Sequence, residues 1–292
     1  MNKHIILYTA DLHGNEIQYQ KLVDFAIKNS VDSVIIGGDI APKGESDRYL
    51  EKQGEFIKNY LPRLISPLKQ QLPKTNLFLL MGNDDCKANL DLLEQNDPGL
   101  YRIIHNKRLK LSDDFDIVGY SYVPITPFGL KDWEKFDLTN PTEELKLDYE
   151  KRKTRCRFDG YKTDKNGWYR FIFSPEIEKE DSIQKDLKNK IFTNKPQKTI
   201  YVIHPPPNRT NLDQIANGKY VGSFAVREFI EKNQPYLTLH GHIHETVDVS
   251  GNFKDQIGKT LCLSPGNHNV GENLAILIFD LYDVNTTRRL RL

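Results

Sequence analysis

Cysteine is scarce in this sequence: three residues in 292 (Cys86, Cys156 and Cys262), with no CxxC pair. That argues against a disulfide framework and against a thiolate zinc site, and it fits a reducing compartment, so a cytoplasmic location is the expectation. Also missing is any apolar run near the roughly 20 residues that cross a bilayer. The opening MNKHIILYTADLHG meets polar and acidic residues too soon to be a signal segment and reads as a buried first strand. Neither sign of charge is in excess, because 41 basic side chains face 40 acidic ones for a net charge of +1. General nucleic-acid affinity and membrane association are therefore not expected. Internal repeats and low-complexity tracts are absent.

What remains is globular, with 38% hydrophobic residues and enough length for one large domain. Short apolar runs at 5–9, 33–36 and 77–81 alternate with amphipathic stretches at 18–28 and 46–61, the texture of βαβ units in a layered α/β sheet. Between 123 and 197 the texture changes, with Pro124, Pro127, Pro141 and mixed-charge helical segments; we read this as an insertion or cap within a single 1–292 domain. The pattern then returns, with strands expected at 199–203, 236–239, 259–263 and 274–281, a helix at 223–231, and a basic tail carrying Arg288, Arg289 and Arg291.

Each apolar run in the alternating regions ends in a polar block: Asp11-Leu12-His13, Gly38-Asp39, Gly82-Asn83-Asp84-Asp85, His204, and Gly241-His242-Ile243-His244. Singly these are ordinary turn formers or helix caps. In parallel α/β sheets, however, carboxyl ends of strands face one ligand-binding edge, so the blocks converge. Imidazole mixed with carboxylate suits manganese, iron, zinc or nickel better than calcium or magnesium. Two ions about 3.5–4 Å apart, sharing a carboxylate, clamp both oxygens of an in-line displacement at phosphorus.

The five blocks resemble those of the calcineurin-like metallophosphoesterases, D-x-H, G-D, G-N-H-[DE], H and G-H-x-H, over nearly the whole chain, and four of the five agree fully. The stretches HPPPNRTNLD and YVPITPFGLKDW are similar to those of a predicted bacterial phosphoesterase subgroup. The resemblance implies a four-layer α/β/β/α sandwich and two divalent ions, manganese first among the candidates. One ion would be held by Asp11, His13, Asp39 and His244 and the other by Asp39, Asn83, His204 and His242, with Asp39 as the bridge. It implies attack on phosphorus by a metal-bridging hydroxide, Asn83 also orienting the phosphate.

Asp84 departs from the family pattern, which has a phosphate-binding, proton-donating histidine there. An ionised aspartate cannot donate a proton, and its charge repels a dianionic monoester, so phosphodiesters or activated esters are the expected substrates. Loss of a general acid typically removes about 10²–10⁴ in rate. Asp85 is expected to orient a neighbouring imidazole. His268 is a substrate contact or a plain turn residue; His240 a hydrogen-bonded core residue; His4 and His105 surface or strand-edge residues; and Cys86 a small buried side chain. Lys151, Arg152, Lys153, Arg155 and Arg157 form either a phosphate clamp or a solvated helix face, and Trp133 and Trp168 pack the cap or stack on a base. The substrate expected is a small phosphoester, nucleotide-derived in one reading, with no constraint on oligomeric state. Two alternatives remain: an inactive protein-binding module on the same fold, and a nuclease.

Overall fold

The computed structural model describes residues 3–44, 48–268 and 270–292. Two six-stranded mixed sheets lie face to face. In the first, the strands Ile5–Thr9, Ser33–Gly37, Asn76–Leu80 and Arg102–Ile103 run parallel in that order. Ala275–Asp280 pairs antiparallel with Ile5–Thr9, and Asp283–Arg291 closes that edge. In the second, Thr199–Ile203 lies parallel between Asp116–Tyr120 and Leu237–Leu239, with Thr260–Leu263 next. Arg108–Lys110 and Lys254–Ile257 are its antiparallel edges.

Strand periodicity decides the layers. Leu7, Val34, Ile36, Leu77 and Leu79 point to an outer core, where they meet Tyr19, Leu22, Val23 and Ala26 of the helix Glu16–Lys28 and Leu61, Ile65 and Leu68 of the helix Leu61–Gln71. Their neighbours Ile6, Tyr8, Ile35, Phe78 and Leu80 point the other way, onto Ile117, Ile200, Val202, Leu237 and Leu239 of the second sheet. The far side of that sheet buries Val118, Tyr201 and Ile203 against the helix Phe224–Asn233. The layers are thus α/β/β/α, as expected.

Two local expectations need correcting and a third is narrowed. The amphipathic stretch 46–61 begins at residues 46 and 47, which lie outside the described residues, and it continues past 61. A π-helical turn, Phe56–Tyr60, leads into Leu61–Gln71, whose Pro62 sits in the first turn, where no amide hydrogen is needed. The basic tail is instead the edge strand Asp283–Arg291, whose Arg289 donates to the Pro265 and Gly266 carbonyls. Finally, of the two readings of His105 the strand edge is the one that holds, since it follows the edge strand Arg102–Ile103 and bridges to Gly119; its ring faces inward, 4.8 Å from Trp133 and 5.5 Å from Tyr122, and burial pushes its pKa down to about 3. His4 also sits at a strand edge, bonded to the Ser33 hydroxyl at 2.9 Å.

Residues 123–197 connect two adjacent parallel strands of the second sheet, Asp116–Tyr120 and Thr199–Ile203. They hold the helix Glu143–Lys153, the hairpin Asp159–Asp164 and Gly167–Ile172, and three short helices. Ile125, Phe136 and Phe173 form a small apolar cluster within this segment, while Leu138, Tyr149, Ile183, Leu187 and Phe192 join the outer core of the second sheet. Among the described residues no helix is long and apolar enough to cross a membrane.

Candidate metal centre

The polar blocks converge where the carboxyl ends of the parallel strands meet. The first two loops are zipped together by backbone bonds: Asp11 N–H to Gly38 O at 3.0 Å, His13 N–H to Asp39 O at 2.8 Å, and Gly14 N–H to Ile40 O at 3.0 Å. Asp11, His13, Asp39 and His242 all have left-handed backbones, with φ of 58°, 43°, 51° and 69°. Non-glycine residues rarely adopt that region, and strain of about 1–3 kcal/mol each collects where function requires it. Close approach needs glycine at two neighbouring positions. A Cβ on Gly38 would lie 2.2 Å from His204 Nδ1, and one on Gly82 would lie 2.2 Å from Asp39 Oδ1.

All seven expected ligands are brought together. Donor atoms of Asp11, His13, Asp39 and His244 lie within 4.8 Å of one another. Beside them, Asn83 Oδ1 is 2.7 Å from His242 Nδ1 and 3.2 Å from His204 Nε2. Asp39 Oδ2 faces both groups, 3.6 Å from His13 Nε2 and 3.4 Å from His204 Nε2. Supporting bonds aim these side chains: His204 Nδ1 meets Gly37 O at 2.9 Å, His242 N–H donates to Asp11 Oδ1 at 3.0 Å, and Asp84 N–H donates to Asp39 Oδ1 at 2.8 Å.

Two polar atoms in this cluster, Asp11 Oδ2 and His13 Nδ1, are buried with no hydrogen-bond partner among the described residues, and His13 Nε2 and His244 Nε2 face each other at 3.2 Å. Buried polar atoms are nearly always satisfied, so such a concentration of lone pairs fits cations. The electrostatics agree at two of the imidazoles. Burial pushes His13 and His242 down to about 3, which leaves neutral imidazoles of the kind that bind metal. Burial also works against charge on His204 and Asp39, but their mutual attraction wins, lifting His204 to about 9 and holding Asp39 below the ordinary carboxylate range.

Asp84 lies at the edge of the cluster, 3.9 Å from His13 Nδ1, and it has a partner that sequence reasoning missed. Lys43 Nζ is 2.7 Å from Asp84 Oδ2. Burial works against the Lys43 charge, but Asp84, Asp39 and Asp11 outweigh it and hold the ammonium above its ordinary value. In the sequence Ala41-Pro42-Lys43-Gly44 this lysine reads as a plain turn residue. Asn267 was missed as well. Fully buried, it donates to Ala10 O and Asp11 O at 3.1 and 3.2 Å and so pins the Asp11 loop.

Asp85 does not orient an imidazole, contrary to expectation. It is fully buried, and its carboxylate accepts from the backbone N–H groups of Gly82 (2.8 Å), Ala41 (2.9 Å) and Ile40 (3.0 Å), tying two site loops together. His268 stands 6.4 Å ring to ring from His244 and pairs with Asp248 at 3.0 Å. His240 is the core residue expected, bonded to Ile203 O, Pro205 O and Thr238 Oγ1. Cys86 is buried, and burial pushes its thiol up. The basic cluster is dispersed: Lys153 pairs with Glu178, Arg157 with Asp159, and Arg152 donates to the Gly222 and Tyr220 carbonyls. Trp133 is fully buried, while Trp168 is partly exposed and stacks 6.2 Å from Tyr49.

Comparison with known proteins agrees with this geometry. No curated protein is matched by sequence. Solved structures match along their whole length at low identity. One superposes with a TM-score of 0.63 at 14% identity over 99% of both chains. The protein TT1561 of Thermus thermophilus gives 0.55 at 14%, covering 100% of this chain and 99% of its own. A dimetal phosphatase from Danio rerio gives 0.50 at 11%, covering 99% and 98%. At such identities the likeness speaks for the fold. The family profile described as calcineurin-like phosphoesterase matches residues 4–246, a span that includes every block of the cluster, and the chain belongs to that family.

Proposed function

We propose that this protein is a two-metal phosphoester hydrolase that prefers diesters and activated esters, with manganese as the first metal to test. The observation that carries the reading is the position of Asp39 Oδ2, within 3.6 Å of one imidazole and 3.4 Å of another, where one carboxylate can join two donor groups. Asp11, His13 and His244 would complete one group, and Asn83, His204 and His242 the other. Divalent ions bound there would acidify water and polarise the phosphoryl oxygens.

The chain's own groups set the preference. Asp84 occupies the place of the family's proton-donating histidine, so esters whose alcohol is already acidic should lose least. The Lys43–Asp84 pair is close to neutral, which weakens the repulsion of a monoester that Asp84 alone would exert. Lys43→Met is therefore expected to lower kcat/KM for a dianionic monoester on the order of tenfold more than for a diester. Equal losses on both would show that Lys43 does not balance charge at the phosphate.

The direct test uses chelator-stripped protein refilled separately with manganese, iron, zinc and nickel, assayed on bis-p-nitrophenyl phosphate and p-nitrophenyl phosphate. Metal-dependent turnover with the diester ahead supports the proposal. A monoester rate equal to the diester rate overturns the preference, and no turnover with any of the four metals overturns the hydrolase reading.

A further inference from the structure

Next to the metal centre a cleft of about 270 Å³ opens between residues 124–128 and 152–156 of the inserted segment and the loops at 215–221 and 242–245. We infer that this cleft receives one ester arm of the substrate, and that the arm carries a flat aromatic ring and a second anionic group, as a nucleoside phosphate does. The inference rests on the phosphoesterase reading above and adds the substrate class.

Position comes first. His242, one of the donors facing Asn83, forms part of the cleft wall, so a phosphorus held at the metal centre would have one ester oxygen directed into it. At the same wall the Phe128 ring lies 5.5 Å from Lys43 Nζ, beside Asp84. The lining is apolar where a ring would lie: Ile125, Val221 and Ile243, with the exposed rings of Phe128 and Tyr220. An aromatic face left in water next to a polar centre is a platform for a base, and such stacking contributes about 1–3 kcal/mol per base.

Charge selects the second feature. Of the two arginines in the cleft, Arg152 is committed to the Gly222 and Tyr220 carbonyls. Arg155 is exposed and, among the described residues, makes no side-chain hydrogen bond or ion pair; its guanidinium is available to hold a phosphate by two parallel bonds. Glu245 adds an acceptor for a ring N–H. Size sets the upper limit. Ligand sites of about 300–1,000 Å³ suit drug-sized molecules, so a space of 270 Å³ holds about one nucleoside.

Three manganese-dependent substrates separate the contributions: methyl p-nitrophenyl phosphate, thymidine 5′-(p-nitrophenyl phosphate), and the latter with a 3′-phosphate. The wild-type protein should show kcat/KM rising about tenfold with the nucleoside and again with the 3′-phosphate. Phe128→Ala should collapse the first ratio and Arg155→Ala only the second; both side chains are solvent-facing, so folding is not at risk. Equal kcat/KM on all three substrates, or ratios unchanged in both variants, would overturn the inference. Calorimetric binding of thymidine 3′,5′-bisphosphate reads the cleft without turnover. Binding that weakens in both variants supports the cleft even if no ester is hydrolysed, in which case it is the hydrolase reading that fails. Binding that is absent from the wild type or equal in all three proteins overturns the cleft.

Discussion

Asp39→Asn should abolish metal-dependent hydrolysis, by well over a hundredfold in kcat, and should remove the rise in melting temperature that metal gives the wild type. Groups that merely orient a ligand typically change activity or metal affinity about 10–100-fold when removed, and a shared ligand must exceed that. Asparagine keeps the oxygen that accepts from Asp84 N–H at 2.8 Å. It removes a negative charge that raises the pKa of Asp11 and Asp84. It also removes the stronger attraction that lifts His204 to about 9 and holds Asp39 below the ordinary carboxylate range, so the metal-free variant is expected to be less stable near neutral pH as well as to lose its metal site. Calorimetry with and without manganese reads both effects. A metal-induced rise in melting temperature that survives the substitution would mean that Asp39 is not a ligand.

Asp85→Ala should have the opposite profile, a loss of stability first and of activity only as a consequence. Three buried N–H groups, from Gly82, Ile40 and Ala41, would lose the acceptor that Asp85 gives each of them. Each such group costs about 1–3 kcal/mol when left bare, and they share one cavity, so we expect a combined loss of about 3 kcal/mol or more. For a chain of this size that corresponds to a fall of roughly 6–12 °C in melting temperature. Chemical denaturation of the metal-free variant isolates the effect. A change below about 1 kcal/mol would show that water replaces the carboxylate and that the loops do not depend on it.

The alternation of strands and helices and the polar blocks after the strands were legible in local pattern, whereas the four-layer order and the choice of seven donors came from the resemblance to the family. Alternating apolar residues such as Ile6, Leu7 and Tyr8 divide between two cores by parity, and each donor follows its strand within a few residues. What was not legible depends on contacts between distant segments. Nothing near Asp85 reveals that its partners are amides of Ile40 and Ala41, and Lys43 gains its meaning only when the turn after Asp39 folds over Asp84. Arg152 and Arg155 look alike in sequence, yet one is fixed by backbone carbonyls 68 and 70 residues away and the other is unpaired among the described residues. The aromatic surroundings of His105, Tyr122 and Trp133, were not legible because they come from a segment with no regular period.

The donors are divided between the two sheets: Asp11, His13, Asp39 and Asn83 follow strands of the first, and His204, His242 and His244 follow strands of the second. A growing polypeptide therefore presents four of the seven long before the last three leave the ribosome, and the Ile5–Thr9 strand waits for Ala275–Asp280 before its outer neighbour is in place. Cations arriving early would find an incomplete cage, free to take whichever ion is most abundant and to release it again. Under the proposed two-metal reading, selection of the ion would be deferred to the finished fold, where joining the two halves and choosing the metal would become a single event.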